Sequence, residues 1–183
     1  MSQSLIVDLF LYFAKFPTRS GVLSLFQKGI SSMDGYNQLY SQIANLPEGL
    51  MPKIEHYVFG PNIDALKVRI DSLAGYYLMV DYGEIASQKS TMNQRREALS
   101  TAITVAYKLD NFSSDLIDQA IVSDAALQMI VDIRNTLKQD QRERPSLRYL
   151  SDDHSFAPFI ARELSSVGWT LLTSRDQMDT FPL

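Results

Sequence analysis

The hydrophobic pattern changes period several times along the chain. Leu5, Leu9, Tyr12 or Phe13, and Phe16 recur at helical spacing. With Ser4 as N-cap and Pro17 as a stop, they predict an apolar N-terminal helix over about 5–16. Gly21 to Gln27 predicts a second short helix, and Ser31 to Gly35 a turn. Tyr36 to Ala44 reads as helical or irregular, and Pro47 to Pro52 as a loop. Lys53 to Gly60 holds Ile54, Tyr57, Val58 and Phe59 before Gly60-Pro61, which predicts a strand.

Asn62 to Ala74 fits two periods. Ile63, Leu66, Ile70 and Leu73 fit a helix capped by Asn62 and closed by Gly75. Leu66, Val68 and Ile70, alternating with Lys67, Arg69 and Asp71, fit a strand. The cap and the stop favour the helix. Gly75 to Ile85 is dense in β-favouring residues, and Leu99 to Leu109 alternates strictly, with Leu99, Thr101, Ile103, Val105, Tyr107 and Leu109 on one face. The polar Gln88 to Asn93 between them predicts an antiparallel hairpin.

A long helix follows over about 113–138. Ser113 or Ser114 starts it, Asp115 and Asp118 sit where the helix dipole favours anions, and Leu116, Ala120, Leu127, Ile130, Ile133 and Leu137 repeat at helical spacing. Gln139 to Ser155 is charged and contains Pro145, which predicts a solvated loop or arm over about 139–155. Pro158 to Leu164 fits strand or helix, and Val167 to Ser174 predicts a last strand around Trp169. The tail Asp176 to Leu183 is expected to be mobile or to dock on a partner. Strands do not alternate regularly with helices. The order therefore predicts one α+β domain, with a small, mostly antiparallel sheet carrying the N-terminal and long helices on one face.

Composition narrows the chemistry. The 183 residues include no cysteine, which excludes disulfides, thiolate metal sites and cysteine nucleophiles. A net charge of −4 argues against a general nucleic-acid-binding domain, although Arg95 and Arg96 are adjacent. The apolar run from Leu5 to Phe16 is shorter than the roughly 20 residues of a membrane span and lacks the flanks of a signal peptide. The expected location is therefore cytoplasmic, or within a particle assembled there.

The eight glycines have no spacing that would cradle a dinucleotide or a triphosphate, and His56 and His154 are not in a metal-ligand spacing. Three groups of residues are candidates for chemistry. Asp152-Asp153-His154 could hold a divalent ion but reads first as a solvated acidic turn. Asp81 and Glu84 flank Gly83 at a strand end and read first as a bulge or turn rather than an acid–base pair. Arg142, Arg144 and Arg148 with Tyr149 form a basic group of the kind enriched at protein interfaces. Phe10, Phe13 and Phe16 crowd a helix that is apolar nearly all round, which asks for cover on more than one side, including from a partner subunit. These seven residues are the candidate interface, and no catalytic, cofactor or metal-binding residues are expected.

The succession GYYLMVDYGEI (75–85), ALSTAITVAYKL (98–109), the long helix and VGWTLLTS (167–174) resembles the small tail-terminator or tail-completion proteins of tailed phages and related mobile elements. The resemblance covers roughly residues 50 to 175 and lies in the order and texture of elements. It implies a non-enzymatic assembly protein with a small sheet backed by helices, working as a homo-oligomeric ring or connector of a tail or neck. A small ligand-binding or regulatory domain, with Tyr76 to Tyr82 lining an apolar pocket, is the competing class.

Overall fold

A computed structural model describes residues 5–28, 31–33, 35–61, 63–89, 95–112, 115–145 and 147–178. The proposed caps Ser4 and Asn62, the start at Ser113 or Ser114, residues 90–94 of the hairpin connection and the last five residues lie outside the described set.

The elements in chain order are α1 (Leu5–Phe13), α2 (Arg19–Leu23), α3 (Tyr36–Ala44), β1 (Ile54–Gly60), α4 (Ile63–Asp71), β2 (Gly75–Lys89), β3 (Arg95–Lys108), α5 (Leu116–Glu143), β4 (Ser155–Ala161), a 3-10 turn (Arg162–Leu164) and β5 (Ser166–Met178). All five strands form one sheet in the order β1-β2-β3-β5-β4. Only β1 and β2 pair in parallel, and the other pairings are antiparallel. The fold is α+β with a mostly antiparallel sheet, as the element order predicts.

The parallel pair decides the ambiguous segment. Parallel neighbours need a crossover, usually a helix, and α4 supplies it. Leu66, Ile70 and Leu73, at helical spacing, bury against Val58, Tyr77 and Met79. Val68, which a strand would have placed beside Leu66 and Ile70, is 82% exposed while Ile70 is 0% exposed. Gly75 then turns the chain into β2 with φ +79°, a conformation that favours glycine.

The N-terminal and long helices share one face of the sheet as expected, but α4 lies on the other, so both faces are covered. Leu9, Phe13, Leu78, Val80, Ile103, Val105, Ile130, Ile133 and Leu171 join α1 and α5 to one face. On the other, α4 and Leu164 of the 3-10 turn pack on Val58, Tyr77, Met79 and Ala106. The second face of β3 carries the small residues Ala102, Thr104 and Ala106, which let its neighbours approach. Thr104 and Thr170 bond hydroxyl to hydroxyl at 2.7 Å there.

Several boundaries also move. Helix α1 stops at Phe13 rather than Phe16, because Pro17 would clash with the Phe13 carbonyl and disfavours helical Phe16. Thr18 caps α2 by accepting from Gly21 N at 3.1 Å, and pins it to β1 by donating from its backbone N to Ile54 O at 2.9 Å. Gly21 has no room for a side chain there, since a Cβ would fall 2.1 Å from Glu55 O.

Asp115 caps α5 by accepting from Ile117 N at 2.6 Å. The helix runs to Glu143, so the predicted charged loop begins as helix. Gln139 to Arg142 are mostly good helix formers, and it is Pro145 that forces Arg144 out of helical geometry (φ −133°, ψ 85°). The chain after the helix is tethered rather than a solvated arm. Leu150 N donates to Gln141 Oε1 at 2.6 Å, Gln141 Nε2 donates to Leu150 O at 3.1 Å, and Ser151 N donates to Thr173 Oγ1 at 2.9 Å. Among the described residues no helix is long and apolar enough to cross a membrane.

Candidate interaction surface

The candidate interface separates into buried and exposed members. Phe10, Phe13 and Phe16 belong to the chain's own core, which corrects their assignment as surface. Phe10 packs on Tyr57 and Phe59 with ring centroids 5.4 and 5.3 Å apart, and the Tyr57 hydroxyl donates to Phe10 O at 3.1 Å. The helix that looked apolar all round is wrapped by β1 on one side and by the chain after α5 on another.

Tyr149 is corrected in the same way. It stacks on Tyr12 at 4.1 Å, and the Arg175 guanidinium lies 4.7 Å above its ring. Arg175 also donates to Leu5 O at 3.3 Å and faces Asp8. Beside this stack, the Tyr12 hydroxyl donates to Asp140 at 2.6 Å, and Lys15 forms an ion pair with the same carboxylate. Partial burial raises the Asp140 pKa, but the bonds from Lys15 and Tyr12 outweigh it and hold the carboxyl below its ordinary value. Burial and then the Asp140 carboxylate push the Tyr12 hydroxyl upward, so it stays a donor. This network fastens α1, α5 and β5 together.

Arg142, Arg144 and Arg148 remain exposed at the C-terminal end of α5. Arg142 lines a shallow polar depression with Lys138, Ser151, Asp152 and His154, and Arg148 borders the adjoining one. Arg144 lines a neighbouring cleft of about 270 Å³ with Tyr12, Lys15 and Asp140. The three arginines thus stay at the surface, while the four aromatics are buried in the chain's own core.

The other weighed groups acquire structural partners or stay solitary. His154 Nδ1 lies 2.9 Å from Ser151 O, and His56 Nε2 lies 3.0 Å from Ala74 O. No group of His, Asp or Glu among the described residues is arranged to hold a metal ion. The ladder is irregular between Tyr82 and Ile85, where Gly83 predicted a bulge. Burial raises the Asp81 carboxyl, while Glu84 is exposed, and among the described residues no acid–base partner is paired with either. Tyr77, the centre of the aromatic strand that could have lined a ligand pocket, is filled core.

Two surfaces have no counterpart in the sequence reading. First, β1 pairs with β2 only as far as Gly60 opposite Asp81, and β4 pairs with β5 only from Ser155 opposite Leu172. Beyond these points β2, β3 and β5 continue together to Lys89 opposite Arg95 and Arg96 opposite Met178. The sheet narrows to a three-stranded arm. Tyr82 to Lys89 extends it by about 25 Å. No described strand pairs with either side of the arm, and Gly83 to Ser87 are all exposed.

No family model, curated protein or solved structure matches the chain. The surfaces must therefore be interpreted from their own chemistry.

Second, Leu116, Ile117 and Ile121 in the first turns of α5 are 78%, 67% and 63% exposed. Leu116 and Ala120 were expected on the core face. The buried residues of α5 are instead Ala126, Met129, Ile130, Ile133 and Leu137. The available signal was that Leu116 and Ala120 fall out of phase with that later stripe.

Proposed function

We propose that this chain is a non-enzymatic structural or assembly protein that works through contacts with other protein subunits, as a ring or connector component of a phage-like tail or neck. The observation that carries the reading is the three-stranded arm. Among the described residues no strand pairs with its outer strands beyond Tyr82 on β2 or beyond Ser174 on β5, where Ser151 Oγ takes the Ser174 N–H. An open edge offers unpaired N–H and C=O groups to an incoming strand, and proteins that do not use such edges shorten or block them. The same chain does block another edge, since β4 carries Pro158 at its centre. The exposed arginines and the apolar start of α5 add side-chain surfaces of the kind that fix register and partner choice.

The test is the solution mass of the purified chain by light scattering across a concentration series, with negative-stain images of the largest species. A closed ring, or a mass that climbs to several multiples of 20.7 kDa, is the expected result. A strict monomer, or a species that never exceeds two chains, overturns the ring or connector reading.

A further inference from the structure

From the outward face of α5 we infer a specific contact, which rests on the assembly reading. A second copy of this chain docks on that helix in antiparallel, two-fold fashion. The 28-residue helix is about 40 Å long, and its charges are segregated. From Leu109 to Ile133 the chain carries Asp110, Asp115, Asp118, Asp124 and Asp132 and no Lys or Arg. From Arg134 to Arg148 it carries five bases, against Asp140 and Glu143, and Asp140 already pairs with Lys15. One molecule cannot bring the two ends of a straight helix together. A second copy running the opposite way can.

The residues facing outward strengthen the case. Leu116, Ala120, Asp124, Leu127, Val131, Arg134, Lys138 and Arg142 succeed one another three or four apart, so they form a single stripe along the helix. None of the eight is buried, and Leu116, Ala120, Asp124, Lys138 and Arg142 are exposed. The stripe is self-complementary about the level of Met129. Leu127 is as far from that level as Val131, Asp124 as Arg134, Ala120 as Lys138, and Leu116 as Arg142. An antiparallel pair therefore places apolar side chains against each other at the dyad and an aspartate against an arginine on each side. In the outer turns, small and apolar residues meet the aliphatic stems of Lys138 and Arg142. A parallel pair would set acid against acid.

The isolated helix leaves these demands unmet. Arg134, Lys138 and Arg142 are like charges at i, i+4 and i+8, an arrangement that repels. Arg134 lies 5.6 Å above the Phe156 ring and has no carboxylate partner among the described residues. Asp124 of a second copy supplies that carboxylate. Each copy gives and receives the same contact, as a two-fold interface requires.

The experiment uses the full chain with two charge reversals, Asp124→Arg and Arg134→Glu, read by light scattering and checked by thermal melts. If the Arg134→Glu melt shifts, Asp124→Arg, at an exposed position, is read alone. The wild type is expected to show a dimer step. Each reversal alone should weaken that step at least tenfold, and an equimolar mixture of the two should restore it, because both pairs are then opposite in sign. A wild-type assembly whose mass neither reversal changes would overturn this contact while leaving the assembly reading intact. A dimer that the reversals dissolve, with no larger species in the images, would uphold the contact and overturn the ring. A wild-type monomer at every concentration would overturn both.

Discussion

Replacing Phe13 by alanine distinguishes a core residue from an interface residue at the position where sequence and structure disagree most. Phe13 is 0% exposed, with its ring centroid 5.2 Å from Tyr12, 6.0 Å from Phe16 and 6.2 Å from Tyr149. A buried phenylalanine removes roughly 150 Å² or more from water. At about 25 cal/mol per Å² the transfer contribution is ~3 kcal/mol once the retained methyl is allowed for. The cavity among three rings adds to this, so the expected loss is about 3–5 kcal/mol. Urea denaturation followed by tryptophan fluorescence should show it as a lower midpoint at unchanged slope, at every protein concentration. The emission reports the fold because Trp169 sits on β5 and donates to Ser123 Oγ of α5 at 3.1 Å. A loss under about 1 kcal/mol, or a loss confined to the oligomer, would refute the core assignment and restore Phe13 to a partner-facing surface.

Two further outcomes follow from the packing and electrostatics. Val68→Ser should change stability by less than about 0.5 kcal/mol, whereas Ile70→Ala should cost about 2–5 kcal/mol; similar costs in paired melts would mean that 63–71 is not the helix described. Asp140 has its folded pKa depressed, so its contribution is present above the unfolded carboxyl pKa and is lost as pH falls through the folded value. Acid unfolding of Asp140→Asn should therefore begin from lower stability at neutral pH and depend less on pH below about 4, and curves parallel to the wild type would refute the Lys15–Asp140–Tyr12 network.

Local signals account for much of the architecture. Alternation from Leu99 to Leu109 and the run from Gly75 marked the central hairpin, because a half-buried strand repeats every two residues whatever packs on it. The long helix was legible from its spacing, and β1 from the Gly60-Pro61 stop. Boundaries were less legible where charge was taken for a terminator, as at Gln139 to Glu143, since helix formers continue a helix until a proline intervenes. The basic group at Arg142, Arg144 and Arg148 was visible as composition alone.

Length, hydrophobic period and breakers thus determined which segments became helix or strand, and the absence of cysteine determined which chemistries were closed. Tertiary structure alone decided which apolar residues were spent on the core. Phe10, Phe13, Phe16 and Tyr149 are covered because β1, β5 and the chain after α5 arrive from distant positions to meet them. Leu116, Ile117 and Ile121 are equally apolar and remain exposed because nothing among the described residues arrives there. The arm likewise exists only because β1 and β4 stop short of their neighbours, a fact of pairing register. A side chain's tendency to leave water is local, but the surface that receives it is assembled from the whole chain.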